Sequence, residues 1–188
     1  MLAGNNKIYI PTLLTLLRIA LTPFLALDII SQEWGRAFLL FTIAALTDFL
    51  DGFLARRWKQ ETLIGALLDP LADKILIIAC YCALFYSSAT VLKIPLWFII
   101  GITTKEAILV IGTLYGIATH KKLITKPSLL GKVAMIVQTC FIALLCFYRF
   151  AYDKHPLPFF SFWLYGIMSI TLLSLIDYMY INYRKITL

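Results

Sequence analysis

Long apolar runs alternate with short polar breaks along this chain. Six runs approach the roughly 20 residues that a helix needs to cross a bilayer. They cover 9–30, 35–56, 63–87, 94–118, 129–151 and 158–182. The breaks SQEWGR, RRWKQET, SSATVLKIP, THKKLITKPS and YDKHPLP separate them, and Pro95 suits the first turn of the fourth helix. Loops this short imply antiparallel neighbours. The pattern predicts an all-α polytopic membrane protein, a bundle of six transmembrane helices forming one domain over residues 1–188. It shows no linker, low-complexity tract or clear internal repeat. The first apolar run leads into DIISQEW instead of a small-residue cleavage site, so no secretory leader is expected.

Composition supports lipid as the solvent. Of the 188 residues, 61% are hydrophobic and 14% charged, whereas soluble domains run nearer half and a quarter. The net charge of +7 fits basic loops beside an anionic leaflet. No run of lysine and arginine with interleaved aromatics forms a nucleic-acid face, and no nucleic-acid partner is expected. Cys80, Cys82, Cys140 and Cys146 all lie in apolar runs and lack CxxC spacing. They read as small apolar fillers. His120 and His155 stand alone in loop-like segments.

The basic residues orient the bundle. With the N-terminus inside, the cytoplasmic side holds Lys7, Arg56, Arg57, Lys59, Lys121, Lys122, Lys126, Lys132, Arg184 and Lys185. The outer side holds only Arg36, Lys93, Arg149 and Lys154, and Arg18, Lys74 and Lys105 fall within helices. This asymmetry predicts both termini in the cytoplasm.

Four aspartates interrupt the second and third apolar runs. Asp48 and Asp51 are three residues apart and share a helix face, which Gly52 and Ala55 extend. Gly65, Asp69 and Asp73 recur every four residues on the next helix. Antiparallel packing of the two helices would bring four carboxylates to one cavity near the cytoplasmic interface. Unpaired acids at that depth are costly and usually functional. Arg56 and Lys74 would neutralise part of the charge. Divalent Mg²⁺ or Mn²⁺ would neutralise more, since hard cations take carboxylate oxygens. Four carboxylates suffice for two ions, the arrangement that clamps a displacement at phosphorus. The bland alternative is a charge network pinning two helices, with Gly52, Ala55, Gly65 and Ala66 allowing close packing.

Asp48, Asp51, Gly52, Ala55, Arg56, Gly65, Asp69 and Asp73 spell D-x2-D-G-x2-A-R-x8-G-x3-D-x3-D. That pattern resembles the signature of the CDP-alcohol phosphotransferases, and the resemblance extends over the whole chain. It implies a six-helix membrane enzyme, commonly a homodimer, with its site open to the cytoplasm. For a bacterial member the location would be the inner membrane. The reaction it implies moves a phosphatidyl group from CDP-diacylglycerol to an alcohol and releases CMP. By the same resemblance Asp48, Asp51 and Asp69 would ligate metal, and Asp73 would join the second ion and serve as general base. Asp51, Gly52, Ala55, Arg56 and Gly65 would form the CDP pocket.

Two branches of the family suggest different acceptors. YIPTLLTLLRIALTPFL, DGFLARRWKQ, DPLADK and SLLGKVAMIVQ are similar to bacterial phosphatidylglycerophosphate synthases, which use glycerol 3-phosphate. Arg18, Lys105 and Lys132 are then candidates to meet the acceptor phosphate. Each has a plainer reading: Arg18 pairing with an aspartate, the lysines snorkelling, or Lys105 meeting Glu106. Those synthases carry Arg-Glu where this chain has Lys105-Glu106, and the following AILVIGTLYGIAT has no arginine. Lysine keeps the charge but loses the bidentate fork. IPLWFIIGITTKEAILVIGTLYG with TKPSLLGKVAMIVQ also resembles the cardiolipin synthase branch, which accepts phosphatidylglycerol.

Three rivals come from other classes. A membrane prenyltransferase also uses two aspartate-rich motifs, but on more helices than this chain supplies and on distant ones. A divalent-cation transporter would show repeated halves or matched broken helices. A scaffold that had lost catalysis would not need all four aspartates. Asp177, in the sixth segment, has no assigned role.

Overall fold

The computed structural model describes residues 10–58, 63–87, 94–118, 129–152 and 159–186. These residues form six helices and, among them, no strand. The helices are α1 Ile10–Ile30, α2 Trp34–Trp58, α3 Leu63–Tyr86, α4 Leu96–Ala118, α5 Leu129–Tyr152 and α6 Phe160–Ile186. Five begin and end within two residues of the ranges expected from hydropathy. The sixth runs four residues further, because Tyr183, Arg184 and Lys185 continue a helix without being apolar. Basic residues at a helix C-terminus also complement its dipole.

Among the described residues, three helical stretches are long and apolar enough to cross a membrane: Leu13–Ile30, Leu129–Tyr152 and Phe160–Ile181. The surface agrees with that solvent. Leu13, Phe24, Leu39, Ile111, Phe162 and Ile176 are all exposed, an apolar coat that water would not tolerate over such an area. Hydroxyl groups on the helices turn back to their own backbone. Thr22 donates to the Arg18 carbonyl at 2.9 Å, Thr42 to Phe38 at 2.8 Å and Thr103 to Ile99 at 2.7 Å. Without water, an intrahelical acceptor is the nearest way to satisfy a hydroxyl. The four cysteines are free thiols, Cys80 and Cys146 buried, as expected of apolar fillers.

The chain divides into two compact units. The first comprises Met1–Lys93 and Ala143–His155. Here α1 packs along both α2 and α3, around a core that includes Leu25, Ile29, Phe41, Ala72, Tyr81 and Leu145. A tight turn joins α1 to α2. Gln32 adopts φ 61°, and Gln32 and Glu33 donate backbone bonds to Ile29 and Asp28 at 3.2 and 2.9 Å. This is the Schellman ending, with glutamine where glycine is usual. Beside it, Arg36 Nη2 meets Asp28 Oδ1 at 2.8 Å. The end of α5 completes the unit. Arg149 lies over the Trp34 ring at 5.3 Å, and Phe147 packs on Phe38 at 5.4 Å.

The second unit comprises Ile94–Ile142 and Pro156–Leu188. Helices α4 and α6 approach closely where glycine permits it. A Cβ at Gly101 would run into the Met168 side chain, and one at Gly112 into the Tyr178 hydroxyl. Trp97 stacks on Tyr165 at 5.3 Å. Gln138 of α5 donates to Thr171 Oγ1 of α6 at 2.9 Å, both side chains fully buried. Thr171→Val would leave that amide without its acceptor and should destabilise the protein by about 1 to 2 kcal/mol. Thr139→Val, which removes only a hydroxyl bonded to its own helix at Met135, should be nearly neutral. Equilibrium unfolding of both variants in mixed micelles compares them.

Candidate active site

The charged residues of the first unit come to one level by simple helix arithmetic. Arg18 is eight residues into α1, Asp73 ten residues into α3, and Asp48 ten residues before the end of α2. At about 1.5 Å per residue these positions lie about 12 to 15 Å from one common end of the three helices. Packing of α1 on both neighbours then places a cation of one helix beside an anion of each of the others.

The side chains meet as that placement requires. Arg18 Nη1 donates to Asp48 Oδ1 at 2.8 Å and also pairs with Asp73 Oδ1. The Arg18 side chain is 0% exposed, against 38% for Asp48 and 18% for Asp73. The guanidinium is therefore wholly inside the protein, while both carboxylates stay partly exposed. A lone buried guanidinium would be costly by several kcal/mol. Two carboxylates from two helices offset that penalty with charge-assisted bonds. This pairing was the plainer of the two readings of Arg18.

Asp51 and Asp69 occupy the same two helices. Each lies about one turn closer to the common end than its partner aspartate. The four positions thus form two tiers, Asp48 with Asp73 deeper and Asp51 with Asp69 shallower. The side chains of Asp51, Gly52, Ala55, Arg56, Gly65 and Asp69 lie outside the described residues, although α2 and α3 run through all six positions. Among the described residues no group of three or more acids, imidazoles or thiols assembles into a metal site. The donor chemistry still suits hard divalent cations, because Asp48 and Asp73 are oxygen donors held at one guanidinium and partly open.

The lysine candidates belong to the second unit. Lys105 Nζ bonds Glu106 Oε1 at 2.6 Å, and both side chains are buried. Adjacent helix positions do not ordinarily face each other. A long lysine stem reaching back to its neighbour makes the contact here. Lys132 is exposed, in the first turn of α5. The buried Gln138–Thr171 pair was not apparent from sequence, since neither residue interrupts its apolar run enough to stand out.

Comparison with known proteins covers most of the chain. A family model described as CDP-alcohol phosphatidyltransferase matches residues 8–176. The chain is 55% identical over 71 residues to the CDP-diacylglycerol–glycerol-3-phosphate 3-phosphatidyltransferase of Escherichia coli K12, a stretch covering 36% of this chain and 39% of that protein. It is 40% identical over 112 residues to the cardiolipin synthase (CMP-forming) of Homo sapiens, covering 59% of this chain and 36% of that protein. The chain thus spans less than two fifths of the length of either relative.

The buried Lys105–Glu106 pair makes a prediction of its own. Glu106→Gln removes the carboxylate charge that the buried Lys105 ammonium meets and should destabilise the protein by about 3 kcal/mol. Lys105→Met combined with Glu106→Gln should recover most of that loss. Unfolding of the single and double variants in micelles gives both values, and a double variant no better than the single would show that the pair is not an energetic unit.

Proposed function

The chain belongs to the CDP-alcohol phosphatidyltransferase family, and from that premise we propose that it transfers a phosphatidyl group from CDP-diacylglycerol to glycerol 3-phosphate. The products are CMP and phosphatidylglycerophosphate. The observation that carries the reaction class is the family match across residues 8–176, with Asp48 and Asp73 of its motif drawn to one buried arginine. The acceptor rests on the 55% identity to the Escherichia coli enzyme named for that reaction. Family membership speaks against a prenyltransferase or a cation transporter.

The chemistry needs a hydroxyl nucleophile, a stabilised leaving group and a place for one proton. Asp48, Asp51, Asp69 and Asp73 are the residues to hold two divalent ions, Mg²⁺ or Mn²⁺. Such ions, when bound, stabilise charge on the pyrophosphate oxygens. Asp73 takes the proton of the acceptor hydroxyl as its oxygen forms a bond to the lipid-linked phosphorus. The phosphorus–oxygen bond to CMP breaks with its electron pair leaving on CMP, and the proton passes to water. Gly52, Ala55 and Gly65 let the nucleotide approach the helix backbones, and Arg56 meets phosphate. Lys132, exposed in the first turn of α5, is the cation offered to an anionic acceptor, and Lys105 would join it only on leaving Glu106.

We assign the site to the cytoplasmic side of a bacterial inner membrane, in a homodimer of six-span protomers with both termini inside. Lipid-facing side chains such as Leu13, Leu16 and Leu17 on α1 sit near the level of Arg18 and are exposed, which suits a donor whose acyl chains stay in the bilayer. A second reading, phosphatidylglycerol as acceptor, is favoured by one observation. The match to the human cardiolipin synthase covers more of this chain than the match to the glycerol-phosphate enzyme.

CMP release by purified protein with CDP-diacylglycerol and Mg²⁺ or Mn²⁺ separates the two. Turnover with glycerol 3-phosphate alone is expected; turnover only with phosphatidylglycerol would move the protein to the second reading. In the same assay Asp73→Asn should lower kcat by a factor of about 10³ or more and leave the protein folded and able to bind CDP-diacylglycerol. Near-normal turnover by that variant would remove Asp73 from the role of base.

A further inference from the structure

We propose that Arg18 is the resident counter-charge of the metal site, a positioning residue that holds Asp48 and Asp73 in place and weakens the grip of those carboxylates on divalent cations. This inference rests on the metal-dependent transfer proposed above. It assigns Arg18 to the carboxylates instead of to the acceptor phosphate.

Burial and geometry support it. The Arg18 side chain is 0% exposed, and its Nη1 is shared between Oδ1 of Asp48 and Oδ1 of Asp73. A guanidinium engaged in this way is poorly placed to greet an incoming substrate. Its surroundings on α1 are buried too. Thr22 bonds the Arg18 carbonyl, and Thr15, one turn earlier, is buried as well. The carboxylates it holds sit on two different helices, so one cation fixes the register of both α2 and α3 against α1.

The electrostatic consequence has a definite sign. A cation among the carboxylates repels any second cation that binds them. An ionic neighbour within about 4 to 6 Å is worth one to three decades in a binding equilibrium. Because Asp48 is more than a third exposed, solvent screening brings the effect toward the lower end. Moderate affinity suits a site that must release CMP together with its share of the charge.

The test uses the full-length protein in nanodiscs with Mn²⁺ or Mg²⁺ alone as the probe, without lipid donor or acceptor. Mn²⁺ binding is titrated by electron paramagnetic resonance, and thermal unfolding is followed with and without metal. Arg18→Met should melt lower without metal, gain more from added metal than the unchanged protein, and bind Mn²⁺ about tenfold more tightly. Arg18→Lys keeps a charge but not the fork. It should bind Mn²⁺ roughly threefold more tightly than the unchanged protein, and it serves alone if the methionine variant does not fold. A lower melting temperature with unchanged Mn²⁺ affinity would mean that Arg18 only pins helices, and would overturn the proposal. So would weaker Mn²⁺ binding. If the unchanged protein binds no Mn²⁺, the metal-dependent reading of the site fails first and the inference fails with it.

Discussion

A buried guanidinium between two carboxylates is the constraint on which the first unit depends. Arg18 lies about 12 Å from the start of α1, too deep to reach bulk water without dragging its backbone. It is tolerated there because α2 and α3 each bring an acid to the same depth. The converse holds for the acids. Asp48 and Asp73 would repel each other in a medium of low dielectric, and the shared cation turns that repulsion into a link between helices. Packing of α1 on both neighbours and the placement of the site are therefore one arrangement. Apolar contacts such as those of Leu25, Phe41 and Ala72 supply association, but they do not select a register as sharply as one charge that must meet two others.

The helices were legible because hydropathy is a strong signal over 20 residues. Their ends agreed with the expected ranges wherever a polar break coincided with the end of the helix. The discrepancy at the C-terminus arose because a helix continues as long as its backbone bonds do, and not only as long as it is apolar. The turn at Gln32 was less legible. A left-handed residue is usually announced by glycine or asparagine, and here a glutamine takes the strained position between Ser31 and Glu33.

The site was legible in its chemistry and less so in its connections. Spacing alone set Asp48 with Asp51 and Asp69 with Asp73 on shared faces, and among the described side chains Asp48 and Asp73 meet at Arg18. What spacing does not reveal is a partner on a third helix. An arginine within an apolar run is a signal that something must receive it, and both a phosphate and an aspartate answered that description. The choice between them depended on whether the side chain was buried or open. Lys105 shows the limit of a periodicity rule. Adjacent residues point apart at Cβ, yet the flexible lysine stem closes the gap to Glu106.

On the proposed reaction, donor chemistry and acceptor choice would fall to residues in different parts of the chain. Asp48, Asp51, Asp69 and Asp73 all fall in the first unit, on helices that α1 organises. Lys105, Glu106 and Lys132 fall in the second. If the carboxylates hold the pyrophosphate donor, as proposed, they would serve the reaction whatever the acceptor. Residues that greet the acceptor are free to vary, and a lysine engaged with its own neighbouring glutamate is a different device from an arginine fork. The chain matches both a phosphatidyltransferase named for glycerol 3-phosphate and a cardiolipin synthase, and its aspartate signature is complete. On that proposal, acceptor specificity would be a question about the charge left available around α4 and α5, apart from the carboxylates that Arg18 holds.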